Sequence, residues 1–242
     1  VWKKIIKYGI IPVIVMLIVS LLGFYVWSQQ TYQASEFLHQ HVEAIPRVND
    51  WVVFEPEEQS IEGIILYPGA KVEPEAYSYL ALKLSDQGYL VVIPEVRLNF
   101  AILDINKANE IIEEYPAIEN WYLGGHSLGG VAAASYTFEH LNQIAGLFFL
   151  ASYPTNDFSA LDLPMLSIYA ELDGLSTPEK VLEREALLSE QAQFNQISGG
   201  NHAQFGLYGP QKGDNDATIT AQEQQDQIID QLLSWFKDSS IN

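Results

Sequence analysis

The chain has 242 residues, nearly half of them apolar, with twelve lysines and arginines against thirty-one aspartates and glutamates and a net charge of −19. A surface of that sign repels polyanions, which excludes nucleic acid as a partner, and the absence of cysteine excludes disulfides, thiolate metal sites and a cysteine nucleophile. With plentiful aromatics and no repeat or low-complexity tract, the chain is expected to fold around one full-sized core held by packing alone.

Three lysines, Lys3, Lys4 and Lys7, precede an uncharged apolar run from Gly9 to Trp27. At 1.5 Å per residue the run spans about 30 Å, the thickness of a hydrocarbon core, so it is predicted to be a transmembrane helix. The basic end is expected to stay in the cytoplasm and the remainder to be exported, giving a single-pass membrane protein with an extracytoplasmic domain. Tyr25 and Trp27 sit where an interfacial aromatic belt belongs. The rival expectation is a signal peptide whose cleavage would release a secreted domain, but the run exceeds the usual apolar core of such peptides and no small-x-small site follows it. Residues 1–27 are therefore read as the anchor, 28–47 as a polar tether with a short helix, and 48–242 as the catalytic domain. The chain beyond the anchor, tether included, carries nine basic residues against thirty-one acidic ones, a charge of −22. His39 and His41 form a His-x-His pair in the tether, yet positions i and i+2 of a helix point apart and two ligands do not make a site, so no metal is expected.

From Trp51 the pattern alternates. Trp51 to Phe54 and Gly63 to Tyr67 read as strands, Pro74 to Gln87 as a helix stopped by Gly88, and Tyr89 to Pro94 as a buried strand. Residues 102–114 read as a helix, Trp121 to Leu123 as a strand, Leu128 to Leu141 as a helix and Ile144 to Ala151 as an apolar strand. Strand Met165 to Ala170, a helix opening at Thr177-Pro178, strand Phe194 to Ile197 and a last helix near Thr220 complete the series. Thr220 and Glu223 form a capping box, and Ile228, Ile229, Leu232, Leu233 and Phe236 recur at helical spacing. Such alternation predicts an α/β fold, a mostly parallel central sheet with helices on both faces. Only Ser152 to Leu163 separates two of the strands, which leaves no room for a cap domain.

Gly125-His126-Ser127-Leu128-Gly129 matches G-x-S-x-G directly after a predicted strand and before a predicted helix, the setting in which that motif forms a nucleophile elbow. A serine hydroxyl is a weak nucleophile at neutral pH and needs a base within hydrogen-bond reach. His202 lies in a glycine-rich loop after the last strand, where such a base is expected; His126 and His140 are less well placed. The imidazole needs a carboxylate to fix its tautomer, and Asp173, just beyond a strand end, is the first choice, with Glu171 and Asp157 as alternatives. The oxyanion of the tetrahedral intermediate needs two fixed donors: the backbone N–H of Leu128 at the helix start and that of Ala70 after Tyr67-Pro68-Gly69, since Pro68 has none. Tyr67, Lys71, Asn99 and Phe100 are candidate pocket-lining residues. Asp214 and Asp216 match no calcium loop and read as turn residues.

Together, Tyr67-Pro68-Gly69-Ala70, Gly125 to Gly130, Asp173-Gly174 and Gly200 to Gly206 resemble a compact bacterial α/β-hydrolase family distantly similar to dienelactone hydrolases, over roughly residues 50–238. The order Ser, Asp, His along the chain is the one found in α/β-hydrolases. The resemblance implies Ser127, Asp173 and His202 as the triad of a serine esterase acting on a small-molecule ester without metal or organic cofactor. The sequence departs from lipases in carrying Tyr-Pro-Gly in place of His-Gly, and from dienelactone hydrolases in carrying Ser127 in place of cysteine. The same triad would serve acyl transfer to an alcohol or amine, and a non-catalytic binding module would keep the fold; three complete triad side chains favour catalysis over the latter.

Overall fold

A computed structural model describes residues 9–239. The lysines expected at the cytoplasmic end, Lys3, Lys4 and Lys7, lie outside the described residues. An eight-stranded sheet dominates: β1 (Arg47–Val48), β2 (Trp51–Phe54), β3 (Glu62–Tyr67), β4 (Leu90–Pro94), β5 (Asn120–His126), β6 (Gly146–Leu150), β7 (Met165–Ala170) and β8 (Gln193–Ile197), in spatial order 1-2-4-3-5-6-7-8. The pairs β1·β2 and β2·β4 are antiparallel, and every pair from β4 to β8 is parallel. Parallel neighbours require crossovers, and the helices α3 (Ser78–Ser85), α4 (Lys107–Glu114), α5 (Leu128–Glu139), α6 (Pro178–Leu182) and α7 (Ala221–Ser239) supply them or close the last face.

Strand parity divides the interior in two. Ile64, Leu66, Val91, Ile93, Tyr122 and Phe148 face one core, with Leu80, Leu84, Ile228 and Phe236 from α3 and α7. Ile65, Tyr67, Val92, Leu123, Leu147 and Phe149 face the other, with Ala108, Ile111 and the alanines of α5. Alternate residues of each strand therefore meet helices on opposite faces, which is why the strands read as unbroken apolar runs. The Thr220–Glu223 capping box forms as expected: the Glu223 carboxylate accepts the Thr220 N–H at 2.8 Å and the Thr220 hydroxyl accepts the Glu223 N–H at 3.1 Å. The expected helix over 74–87 is split into a 3-10 turn at Pro74–Tyr77 and α3.

The N-terminal run forms α1 (Ile11–Ser28), long and apolar enough to cross a membrane, with its side chains almost all exposed. The segment expected to be a tether is instead packed. Its short helix α2 (Glu36–His41) and the following residue bury Leu38 and Val42 in the first core, the Tyr32 N–H donates to the Lys71 carbonyl at 2.6 Å, and the Ser35 N–H donates to the Leu207 carbonyl at 2.8 Å. Leu38 on the helix and Val42 just after it, at i and i+4, dock the segment together with these backbone bonds.

Candidate active site

Parallel α/β sheets present their sites at the carboxyl ends of the strands, and the loops after β3, β4, β5, β7 and β8 all emerge at that edge. A cleft of about 490 Å³ lined by Glu57, Tyr115 and Pro116 lies at the opposite edge, and none of Ser127, Asp173 and His202 lines it.

Ser127 joins β5 to α5 with φ 54° and ψ −123°, a region that side-chain-bearing residues rarely occupy. The chain makes so sharp a turn only because its neighbours are glycine. A Cβ on Gly125 would lie 2.3 Å from the Gly129 carbonyl carbon, and one on Gly129 would lie 2.2 Å from the Tyr67 carbonyl oxygen. The Ser127 N–H is held by the Leu150 carbonyl at 3.0 Å and its carbonyl accepts the Ser152 hydroxyl at 2.6 Å, so the backbone of the elbow is fixed on both sides.

The structure brings Asp173 and His202 together. His202 Nδ1 meets Asp173 Oδ2 at 2.7 Å with both side chains buried, while Asp173 Oδ1 accepts the N–H groups of Leu175 and Ser176 at 2.8 and 2.7 Å. A carboxylate so held accepts a hydrogen bond from the Nδ1–H of the imidazole, which leaves Nε2 as the ring nitrogen free to act as base. His202 Nε2 is buried without a hydrogen-bond partner, and the Ser127 hydroxyl does not bond to it. The His202 ring nonetheless packs 4.6 Å from the ring of His126, the residue before Ser127, with the two planes tilted by 45°. The two alternative acids are engaged elsewhere: Asp157 is exposed and bonded to Ser159, and Glu171 accepts the Gly199 N–H.

Three amides follow Pro68, and two are occupied. The Gly69 N–H donates to the Tyr77 hydroxyl at 2.9 Å and the Lys71 N–H donates to the Asn99 carbonyl at 2.8 Å. Among the described residues, no hydrogen bond takes the N–H of Ala70 or of Leu128. These are the two donors expected from the sequence.

His126, which adjoins the nucleophile but is not placed as its base, has a partner of its own. It is buried, with Nδ1 2.8 Å from the Tyr77 hydroxyl. Because that hydroxyl accepts from Gly69, its own proton goes to His126, which places the imidazole proton on Nε2. Burial, and then repulsion from His202, hold the His126 pKa well below that of an ordinary histidine, so it stays neutral beside the base. Burial also raises the Tyr77 pKa, which keeps the phenol a donor.

The fold of these elements has a family-model counterpart: residues 63–226, which include Ser127, Asp173 and His202, match the model described as the alpha/beta hydrolase family. The chain belongs to the alpha/beta hydrolase family. Solved structures share the fold of this hydrolase at low identity. MGS-MChE2, an alpha/beta hydrolase enzyme from the metagenome of lagoon sediments at Mar Chica, Morocco, is 16% identical with a TM-score of 0.62, over 81% of this chain and 99% of that one. A thermophilic esterase from Thermogutta terrifontis is 12% identical with a TM-score of 0.59, over 78% and 93%. Est1E from Butyrivibrio proteoclasticus is 11% identical with a TM-score of 0.59, over 77% and 94%. No curated protein matches the chain.

Of the candidate pocket residues, Tyr67 is corrected. It is fully buried in the second core, its hydroxyl bonded to the Ile105 carbonyl and the Ala108 N–H, because its parity along β3 matches that of Ile65 and turns it toward α4. Lys71, Asn99 and Phe100 are half-buried on the loops after β3 and β4. Asp214, read from sequence as a turn residue, ties two loops of the hydrolase together: its carboxylate accepts the Gly174 N–H at 3.0 Å and the Ala203 N–H at 2.9 Å, next to the acid and the base respectively. Gln224 of α7 holds the histidine loop from behind through the Asn201 N–H and carbonyl at 3.0 and 2.8 Å. Neither had a sequence signal beyond position near a glycine-rich loop. Among the described residues no group of three or more His, Asp or Glu side chains could hold a metal ion; His39 and His41 are exposed.

Proposed function

We propose that this hydrolase is a membrane-anchored serine esterase that cleaves carboxylic esters through an acyl-enzyme on Ser127. The observation that carries the reading is the buried 2.7 Å contact between Asp173 and His202 at the edge where the strained Ser127 elbow emerges. Fold likeness to a structure named as an esterase is consistent with it.

In this reading rotation of the Ser127 hydroxyl about χ1 brings it to His202 Nε2. Oγ attacks the ester carbonyl as Nε2 takes the hydroxyl proton, and Asp173 stabilises the imidazolium without itself becoming protonated. The N–H groups of Leu128 and Ala70 receive the oxyanion; losing one such donor typically costs about 10²–10³ in rate. The start of α5 adds a favourable dipole beside the first of them. Collapse expels the alcohol, which leaves with the proton from Nε2, and water then attacks the acyl-enzyme with His202 again as base. Neutral His126 beside His202 leaves the cycling proton on the base. The mechanism uses neither metal nor organic cofactor. On this reading α1 is a membrane anchor, and the domain lies on the extracytoplasmic side.

Ser127→Ala tests the reading: turnover of short p-nitrophenyl esters should fall to the uncatalysed level with the fold intact by circular dichroism. Activity retained in the variant contradicts it.

A further inference from the structure

The end of α1 is built into the rim of the candidate site. Ser28, its last residue, is completely buried, and its carbonyl accepts the Asn99 side-chain amide at 3.0 Å. The Phe100 ring stacks against both Phe24 and Trp27, at 6.0 and 5.7 Å between centroids, and Lys71 Nζ lies 4.2 Å over the Trp27 ring. Three residues beyond the helix the chain is already bonded to the loop that carries Ala70: the Thr31 hydroxyl donates to Glu73 at 2.6 Å, and Tyr32 exchanges backbone hydrogen bonds with Lys71 and Glu73. No slack remains between the apolar helix and the oxyanion loop.

The same rim exposes apolar surface. Leu128 beside the nucleophile is 36% exposed, and Ile102 and Leu103, in a turn packed on α5, are each 44% exposed. They continue the line of Phe100, Trp27 and Phe24, the last two 48% and 40% exposed. A helix of 18 residues is about 27 Å long, close to one hydrocarbon thickness, so its aromatic end falls at the membrane–water interface. With no slack, the rim and the elbow behind it lie at that depth. The charge of the exported domain disfavours an anionic headgroup.

From this we infer that the substrate is a neutral or zwitterionic ester amphiphile resident in the membrane, taken from the interface across the rim formed by Trp27, Phe100, Leu128 and the Ile102–Leu103 turn. The inference rests on the esterase reading above and adds to it the substrate class and its route. Lys71 and Asn99 join the helix to the oxyanion loop, so the bilayer-facing element and a transition-state donor share one scaffold.

The test uses the full chain reconstituted in vesicles of ether-linked phosphatidylcholine, which contains no carboxylic ester. 4-Methylumbelliferyl palmitate is placed either in the same vesicles or in separate ones at equal bulk concentration, and p-nitrophenyl acetate in solution reports the chemistry alone. Palmitate in the enzyme's own vesicles should turn over at least about tenfold faster than in separate ones. Trp27→Ala should lower the ratio of palmitate to acetate turnover by about tenfold, the effect of one lost aromatic contact. Equal rates from both vesicle populations, palmitate left intact while acetate is cleaved, or an equal loss on both substrates in Trp27→Ala would overturn the inference and leave the esterase reading standing. Failure of the wild type to cleave either substrate overturns both.

Discussion

Tyr77→Phe removes one oxygen from a completely buried side chain and isolates two buried partners. The hydroxyl accepts the Gly69 N–H at 2.9 Å and donates to His126 Nδ1 at 2.8 Å, and the bulk of the site leaves no substitute for either. An unsatisfied buried donor or acceptor costs about 1–3 kcal/mol, so the variant should lose about 2–4 kcal/mol of stability, allowing for partial relaxation. Typical domains have about 5–15 kcal/mol to lose, so the protein still folds. Gly69 precedes Ala70, so the freed loop should misplace one oxyanion donor: kcat falls by about tenfold, less than outright removal of a donor, while KM hardly changes. Urea denaturation monitored by tryptophan fluorescence gives the first quantity and p-nitrophenyl ester kinetics the second. Tyr79→Phe is the control, because its hydroxyl bonds to Asp226 and to the exposed Gln222, partners that water can satisfy in its place, and should cost only about 1 kcal/mol. If Tyr77→Phe lies within about 0.5 kcal/mol of wild type, the reasoning about the Gly69–Tyr77–His126 chain is wrong.

The other predictions concern strain, loop fixation and pH. Because Ser127 sits at φ 54° and ψ −123°, Ser127→Gly should be more stable than Ser127→Ala by about 1 kcal/mol in urea denaturation, strain relief exceeding the added unfolded-chain entropy. Asp214→Ala leaves the N–H groups of Gly174 and Ala203 without their acceptor; it should cost about 1–3 kcal/mol and lower kcat by disengaging Asp173 from His202, visible as loss of the low-field Nδ1 proton resonance. His126 is held neutral by burial, its folded pKa below its unfolded one, so the unfolded chain binds the extra proton first. That contribution to stability is full above about pH 6.5 and declines below it by up to about 1.4 kcal/mol per pH unit, a slope that His126→Gln should reduce.

Much of this site was written locally. The elbow needs only five adjacent residues and a strand before a helix, and the buried parallel strands could be read from their unbroken apolar runs. What escaped depends on parity and distance. Tyr67 was assigned to the pocket because it adjoins the oxyanion loop, although counting by two from Ile65 already turns it into the opposite core. Leu38, Val42 and Ile45 recur at helical spacing beside Phe37, but in a stretch so short and otherwise polar that it reads as a tether rather than as part of the core. Asp214 and Gln224 work through backbone groups of loops 11 to 40 positions away, and a backbone amide leaves no mark in the sequence.

The central claim is that Ser127 is made nucleophilic by a histidine that Asp173 orients. The most direct measurement is reaction of the full chain with a fluorophosphonate, followed by mass spectrometry of the modified peptide. The account predicts a single adduct on Ser127, formed slowly or not at all in His202→Ala. No adduct on folded wild-type protein, or one formed at the same rate without the imidazole, would contradict it.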